Sequence, residues 1–163
     1  MRNIAEPGPE NFFLAHHIRI LRENLRRLTG RDLIEPRLSD REAAEYLYQA
    51  PFVLLSHDAE ADPVFNYANR SGQQLFELTW AEMTNLLSRY SAETVNRAER
   101  ERLLRKVSAQ GYIDDYCSVR IAKSGRRFRI SNATVWNLCG ADGRFLGHAA
   151  KFDQWEYLDE KNT

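Results

Sequence analysis

Residues 64–83 read Val-Phe-Asn-Tyr-Ala-Asn-Arg-Ser-Gly-Gln-Gln-Leu-Phe-Glu-Leu-Thr-Trp-Ala-Glu-Met, and this stretch limits the fold more than any other. A short apolar strand ends in an Asn whose side chain can accept from the free N–H groups of a following helix. That helix gives way at Thr79, where Glu82 completes a capping box and starts another. Strand, Asn, helix and capped helix within twenty residues leave room only for a mixed α and β architecture with short helices in its middle.

The flanking segments supply the sheet. Phe52-Val-Leu-Leu55 is an unbroken apolar run suited to a central strand, closed on its N-terminal side by Pro51. His57 to Pro63 is polar and reads as the turn into a second strand, Val64 to Tyr67. Tyr112 to Ala122 alternates, with Ile113, Cys117, Val119 and Ile121 expected on one face and Tyr112, Asp114, Tyr116 and Arg120 on the other. Lys123-Ser-Gly-Arg126 turns the chain into a returning strand, Arg127 to Leu138. Its alternation assigns Phe128, Ile130, Asn132, Thr134, Trp136 and Leu138 to one face. A last strand is expected from about Phe145 to Leu158.

Two further capping boxes mark helix starts. Ser39 with Glu42 opens a helix carrying Ala43, Ala44, Leu47 and Tyr48, and Asn96 with Glu99 opens a longer one carrying Ala98, Leu103, Leu104 and Val107 up to Gly111. Nearer the N-terminus, Leu14, Ile18, Leu21, Leu25 and Leu28 recur at intervals of four, three, four and three, ended by Gly30. A stripe of about two heptads does not hold a coiled coil by itself, so it must pack on its own sheet or on a second copy. The linker from Gly30 to Leu38 is long enough for the helix to stand away from residues 39–163, and the expectation is an isologous homodimer through this stripe.

Composition narrows the function classes. Lys plus Arg and Asp plus Glu are balanced at 23 each, which argues against a polyanion such as nucleic acid as partner. No apolar run reaches the ~20 residues that span a bilayer, and the first ten residues lack the apolar core of a secretion signal, so a cytoplasmic protein is expected. Cys117 and Cys139 lack metal-ligand or disulfide spacing, no metal site is expected, and Cys117 should pack as a small apolar group.

Several blocks carry a family resemblance: Ala50-Pro-Phe-Val-Leu-Leu-Ser-His57, Asp62-Pro-Val-Phe-Asn-Tyr-Ala-Asn-Arg70, Leu75-Phe-Glu-Leu-Thr-Trp80, Gly111-Tyr-Ile-Asp-Asp-Tyr116, Ser124-Gly-Arg-Arg-Phe-Arg129 and Thr134-Val-Trp-Asn-Leu138. With them the chain resembles the MEKHLA domain, a PAS-related family. The resemblance implies an α+β fold with a PAS-like five-stranded antiparallel sheet, short central helices, an N-terminal helical extension over residues 1–38, and a regulatory or ligand-sensing role. It also carries negatives. Flavin photosensors of the PAS group place a reactive Cys in an Asn-Cys-Arg-Phe-Leu-Gln block, whereas the corresponding Leu86-Leu-Ser-Arg-Tyr-Ser-Ala-Glu93 has none. Haem-binding members carry a His on the long helix, and residues 96–110 contain no His.

The expected function is therefore a non-enzymatic sensory domain that binds a small ligand or a protein partner. Its expected pocket draws on Leu54, Phe76, Trp80, Ile130, Asn132, Thr134 and Trp136, with His148 on its border. Asn132 and Thr134 stand out because they interrupt the apolar stripe between Ile130 and Trp136, and buried amides and hydroxyls require partners. His57 and His148 fall on strands that neighbour each other in a PAS sheet; with Asp58, Asp62 or Asp114-Asp115 they would form an acid-base pair suited to a small cone-like enzyme of the nuclear-transport-factor type. A pure interaction scaffold with a filled core is the third reading. The basic run Arg97 to Lys106 reads as a solvated helix face.

Overall fold

In the computed structural model, which describes residues 3–93 and 96–158, the elements follow the expected order. Helices α1 (Ala15–Thr29) and α2 (Asp40–Gln49) precede a hairpin of β1 (Val53–His57) and β2 (Phe65–Ala68). Then come α3 (Arg70–Phe76), α4 (Trp80–Met83), a 3-10 turn at Ser88–Ser91, α5 (Arg97–Gln110), and the strands β3 (Tyr112–Ile121), β4 (Arg127–Cys139), β5 (Phe145–Phe152) and β6 (Gln154–Tyr157). The sheet is antiparallel in the order β2-β1-β5-β4-β3. The expected last strand is divided at Asp153: β5 pairs with the second half of β4, and β6 pairs with its first half.

Two layers of helices cover the two faces of this sheet. On the outer face α1 and α2 bury Ile18, Leu21, Leu25, Ala43, Ala44 and Leu47 against Leu54, Tyr67, Trp136 and Leu138. On the inner face Val53, Leu55, Phe65, Phe128, Ile130 and Phe152 pack with Leu75, Phe76 and Met83 of α3 and α4. The stripe on α1 is thus withdrawn from water by the chain's own sheet, which removes the need for a second copy to cover it. Leu14 lies outside the helix, in a left-handed turn formed with Phe12 and Phe13, and Leu28 is half-buried.

Polar contacts fix α1 in place. The Asn24 amide donates to the carbonyl of Cys139 at 3.0 Å and accepts from its N–H at 3.1 Å, so a helix side chain completes the hydrogen bonding of a strand end. Trp136 Nε1 donates to the Leu21 carbonyl at 3.2 Å. The buried Arg22 guanidinium takes both oxygens of Asp32 at 3.0 and 3.2 Å and Asp40 Oδ1 at 3.0 Å, tying α1 to the linker and to the start of α2.

The faces of β3 and β4 depart from simple alternation. Asn132 has φ +54°, and here β4 changes face. Phe128 and Ile130 point inward before it and Ala133 and Val135 after it, while Trp136 and Leu138 point outward under α1. The single face expected for Phe128 to Leu138 is therefore corrected: one extra residue in a strand moves everything beyond it to the other side. Register shifts on either side of Tyr116 do the same to β3, turning Tyr116 and Arg120 inward and leaving Cys117 exposed rather than packed. Of the three capping boxes, those at Ser39 and Thr79 form, whereas Asn96 makes no side-chain cap.

Asn69 does more than cap α3. Fully buried, it accepts from the N–H groups of Gly72 and Leu54, both at 3.1 Å, and donates to the carbonyls of Leu47 at 3.0 Å and Phe52 at 2.8 Å. One amide joins α2, β1 and α3. Asp at this position can still cap, yet it offers an oxygen where two carbonyls require a donor. Asn69→Asp is expected to lower unfolding free energy at least as much as Asn69→Ala, by about 2–4 kcal/mol, measured as an earlier urea midpoint at unchanged slope. At Asn132 the left-handed backbone makes the opposite forecast: Asn132→Gly holds or raises the midpoint, and Asn132→Val lowers stability by about 1–2 kcal/mol.

Candidate functional site

Between the inner face of the sheet and α5 lies a partly open cavity of about 70 Å³. β1 contributes Leu55 and His57, β3 Tyr116 and Arg120, β4 Ile130, Ala133 and Val135, β5 His148, Ala150 and Phe152, and α5 Arg100, Leu103 and Leu104. Ser56, Phe65, Phe76, Ser88, Ser91 and Ala149 complete the described wall, and no Asp or Glu lines it among the described residues.

Of the eight expected pocket residues, Phe76, Ile130 and His148 line this cavity. Leu54, Trp80 and Trp136 belong to the outer core instead: alternation along β1 and the face change in β4 turn Leu54 and Trp136 toward the N-terminal helices, and Trp80, at the start of α4, packs with Tyr48 and Tyr67. Trp80 Nε1 donates to the Ile4 carbonyl at 2.7 Å. Asn132 and Thr134 lie on the outer surface, in a polar recess with Arg31, Asp114, Lys151 and Asp153, where the Thr134 hydroxyl donates to Asp114 at 2.7 Å. The polar break in the stripe at Asn132 signals a bulge.

His57 and His148 do meet, with ring centroids 5.1 Å apart; the charge of Asp58 acts on His57, but no ring nitrogen of the pair is hydrogen-bonded to a carboxylate among the described residues. His57 Nδ1 donates to the Asp58 carbonyl at 2.9 Å, which leaves Nε2 as an acceptor without a partner. His148 Nε2 lies 3.1 Å from Ser108 Oγ, and its Nδ1 is also without a partner. The expected His–carboxylate acid-base pair does not form. Burial holds both rings neutral, pushing His57 down to about 4 and His148, which also feels His57 and Arg100, down to about 3.

The residues least expected here are two arginines. Arg100, 6% exposed, donates to Ser88 Oγ, and Arg120, 8% exposed, donates to Ser118 Oγ and, at 3.0 Å, to Tyr116 Oη. Neither has an acidic group within ion-pair distance among the described residues. Burial, and then the charge of Arg120, lower Arg100 to about 10. A sequence signal for Arg100 exists: with Leu103, Leu104 and Val107 it occupies the i, i+3, i+4, i+7 face of α5, an apolar position held by a charge. Arg120 has no such signal, since only the bulges in β3 bring it inward.

Outside the cavity, His57, Arg100, Leu104 and His148 also border a surface groove with Asp58, Asp62 and Arg89, so these four side chains form the wall between the cavity and solvent. No described helix is long and apolar enough to cross a membrane.

The two wall histidines make stability depend on pH. The unfolded chain takes up protons near 6.5 whereas the folded rings resist until about 4 or below, so stability is full above pH 6.5 and is lost as pH falls toward 4. His17, packed beside Tyr67 and held to about 4 by burial and by His16, adds to the same slope. Unfolding at pH 5 is expected to require about 1–2 kcal/mol less per histidine than at pH 7.5, and His57→Asn/His148→Asn should remove the larger part of that difference.

Comparison with known proteins agrees with this architecture. No curated protein matches the chain. Among solved structures, a PAS domain from Colwellia psychrerythraea superposes with a TM-score of 0.61 at 10% identity, covering 72% of this chain and 95% of that one. A fungal LOV domain photoreceptor gives 0.57 at 18% identity, covering 91% and 98%. An RNA-binding light-oxygen-voltage receptor gives 0.59 at 18%, covering 78% of this chain and 35% of that one. Identities this low establish the PAS/LOV-like fold of sensory domains and nothing finer. Residues 15–157, from the first residue of α1 to the last of β6, match the MEKHLA domain, and the chain belongs to that family.

Proposed function

We propose that this chain is a sensory or regulatory domain, without catalytic turnover, whose signal is the binding of a small molecule in the cavity under α5. The observation that carries this reading is the cavity itself, lined by two buried arginines that lack an acidic partner among the described residues and by two histidines that each keep one ring nitrogen unpartnered. A filled-core scaffold has no use for buried groups that are costly unless satisfied. A serine beside a histidine does catalysis when a third group orients the ring, and at the Ser108–His148 contact the other ring nitrogen, Nδ1, has no partner among the described residues.

The fold group suggests flavin, and the residues here do not fit it. The cavity is well below the ~300 Å³ of ordinary cofactor sites. Neither Cys117, exposed on β3, nor Cys139, at the end of β4, belongs to its wall.

The ligand reading is tested by native mass spectrometry of freshly purified protein beside Ala133→Leu. Ala133 is fully buried in the cavity wall, so the added methyl groups occupy ligand space. A small-molecule mass adduct on the wild-type protein that disappears in the folded variant is the expected result. A bare wild-type mass, together with no response of cavity resonances to small-molecule fragments, supports the scaffold instead.

A further inference from the structure

Resting on the reading of the cavity as a ligand site, we infer that its ligand is a small carboxylate with a short apolar chain, its carboxylate held between Arg100 and Arg120. Two guanidinium groups line the same partly open cavity, one from α5 and one from β3. The other titratable or polar residues lining that space among the described residues are Ser56, His57, Ser88, Ser91, Tyr116 and His148, none of them anionic at neutral pH. The acids nearest to Arg100 in effect are Glu101 and Asp62, and Asp62 is paired with Arg89 at 3.1 Å.

Two like charges in a largely buried space that no described acid lines are a costly arrangement, whereas an anion between them converts repulsion into two charge-assisted contacts. Guanidinium matches the planar carboxylate, two parallel N–H groups to two oxygens. The remaining wall, Leu55, Phe76, Ile130, Val135 and Phe152, is apolar and offers nothing to further oxygens, which favours a hydrocarbon tail over a second polar head. The volume limits the ligand to a few heavy atoms in this form of the protein. The unpartnered His57 Nε2 is an acceptor, which fits a protein-bound water or hydroxyl donor beside the carboxylate rather than the carboxylate itself.

The probes are butyrate, 1-butanol and inorganic phosphate, titrated calorimetrically into the wild-type protein at pH 7.5, with thermal midpoints recorded in parallel. Butyrate is expected to bind at least tenfold more tightly than butanol and phosphate. Arg120→Gln and Arg100→Gln should each weaken butyrate at least tenfold while leaving butanol unchanged. Arg100→Gln should also raise the midpoint without ligand, because it removes an unpaired buried charge; should it fail to fold, Arg120→Gln and the wild-type comparison decide. Equal binding of butyrate and butanol overturns the anion assignment and leaves the ligand cavity standing. Phosphate equal to or tighter than butyrate overturns the carboxylate assignment. If neither butyrate nor butanol binds, and Ala133→Leu gives the same null titrations, the anion inference and the ligand reading fall together.

Discussion

A thirteen-residue strand that buries apolar side chains on one face at its start and on the other at its end must change face on the way, and in β4 the change is made at Asn132. The left-handed backbone there has a steric cost for a side-chain-bearing residue, and Asn is among the few that tolerate it. What it secures is access to both cores. Phe128 and Ile130 complete the inner one, Trp136 and Leu138 the outer one, and the same break aligns with Asp153, where the partner ribbon changes from β5 to β6. Close approach of the neighbouring strands follows at Gly147, where any Cβ would sit 2.0 Å from the His57 carbonyl. That approach places His148 against His57.

The two faces of the sheet are held by different physics. On the outer face the apolar layer is reinforced by directional contacts that admit one register: Asn24 to Cys139, Trp136 to Leu21, and Arg22 to Asp32 and Asp40. Arg22 and Arg100 are both buried arginines, but Arg22 lies between carboxylates and Arg100 does not. A buried charge with its partner built in serves structure; one without it stands beside the cavity. This contrast, more than any single distance, separates the cavity side of the domain from the side packed under the N-terminal helices.

How much of this was legible in the sequence follows from which signals are local. Asn69, the caps at Ser39 and Thr79, the C-terminal Gly30 of α1 and the order of strands depend on residues a few positions apart, and they were readable as such. The faces of β3 and β4 were not, because alternation assumes an uninterrupted pleat and both strands break it, at Tyr116 and at Asn132. Trp80, Trp136, Asn132 and Thr134 left the candidate pocket for that reason or because a second apolar layer took them. Arg100 was legible in principle, since a charge in the apolar stripe of α5 is a local anomaly. The α1 stripe was visible too, but what covers it is a long-range question that heptad spacing cannot answer.

The asymmetry between the faces bears on how occupancy of the cavity would be felt elsewhere. A bound molecule changes a protein only through elements that make different contacts with it and without it. The outer helices do not reach the cavity, and their hydrogen bonds resist displacement. α5 reaches it with three side chains, Arg100, Leu103 and Leu104, and among its described residues only Arg100 and Val107 are buried. Its hold on the sheet is therefore weak where the ligand would be strong. Neutralising Arg100 with an anion that also touches Arg120 would join α5 to β3 through a bridge that is absent otherwise. A change in the fastening of α5, at the groove bordered by His57, Asp58 and His148, is the physical form in which occupancy of the cavity would be reported.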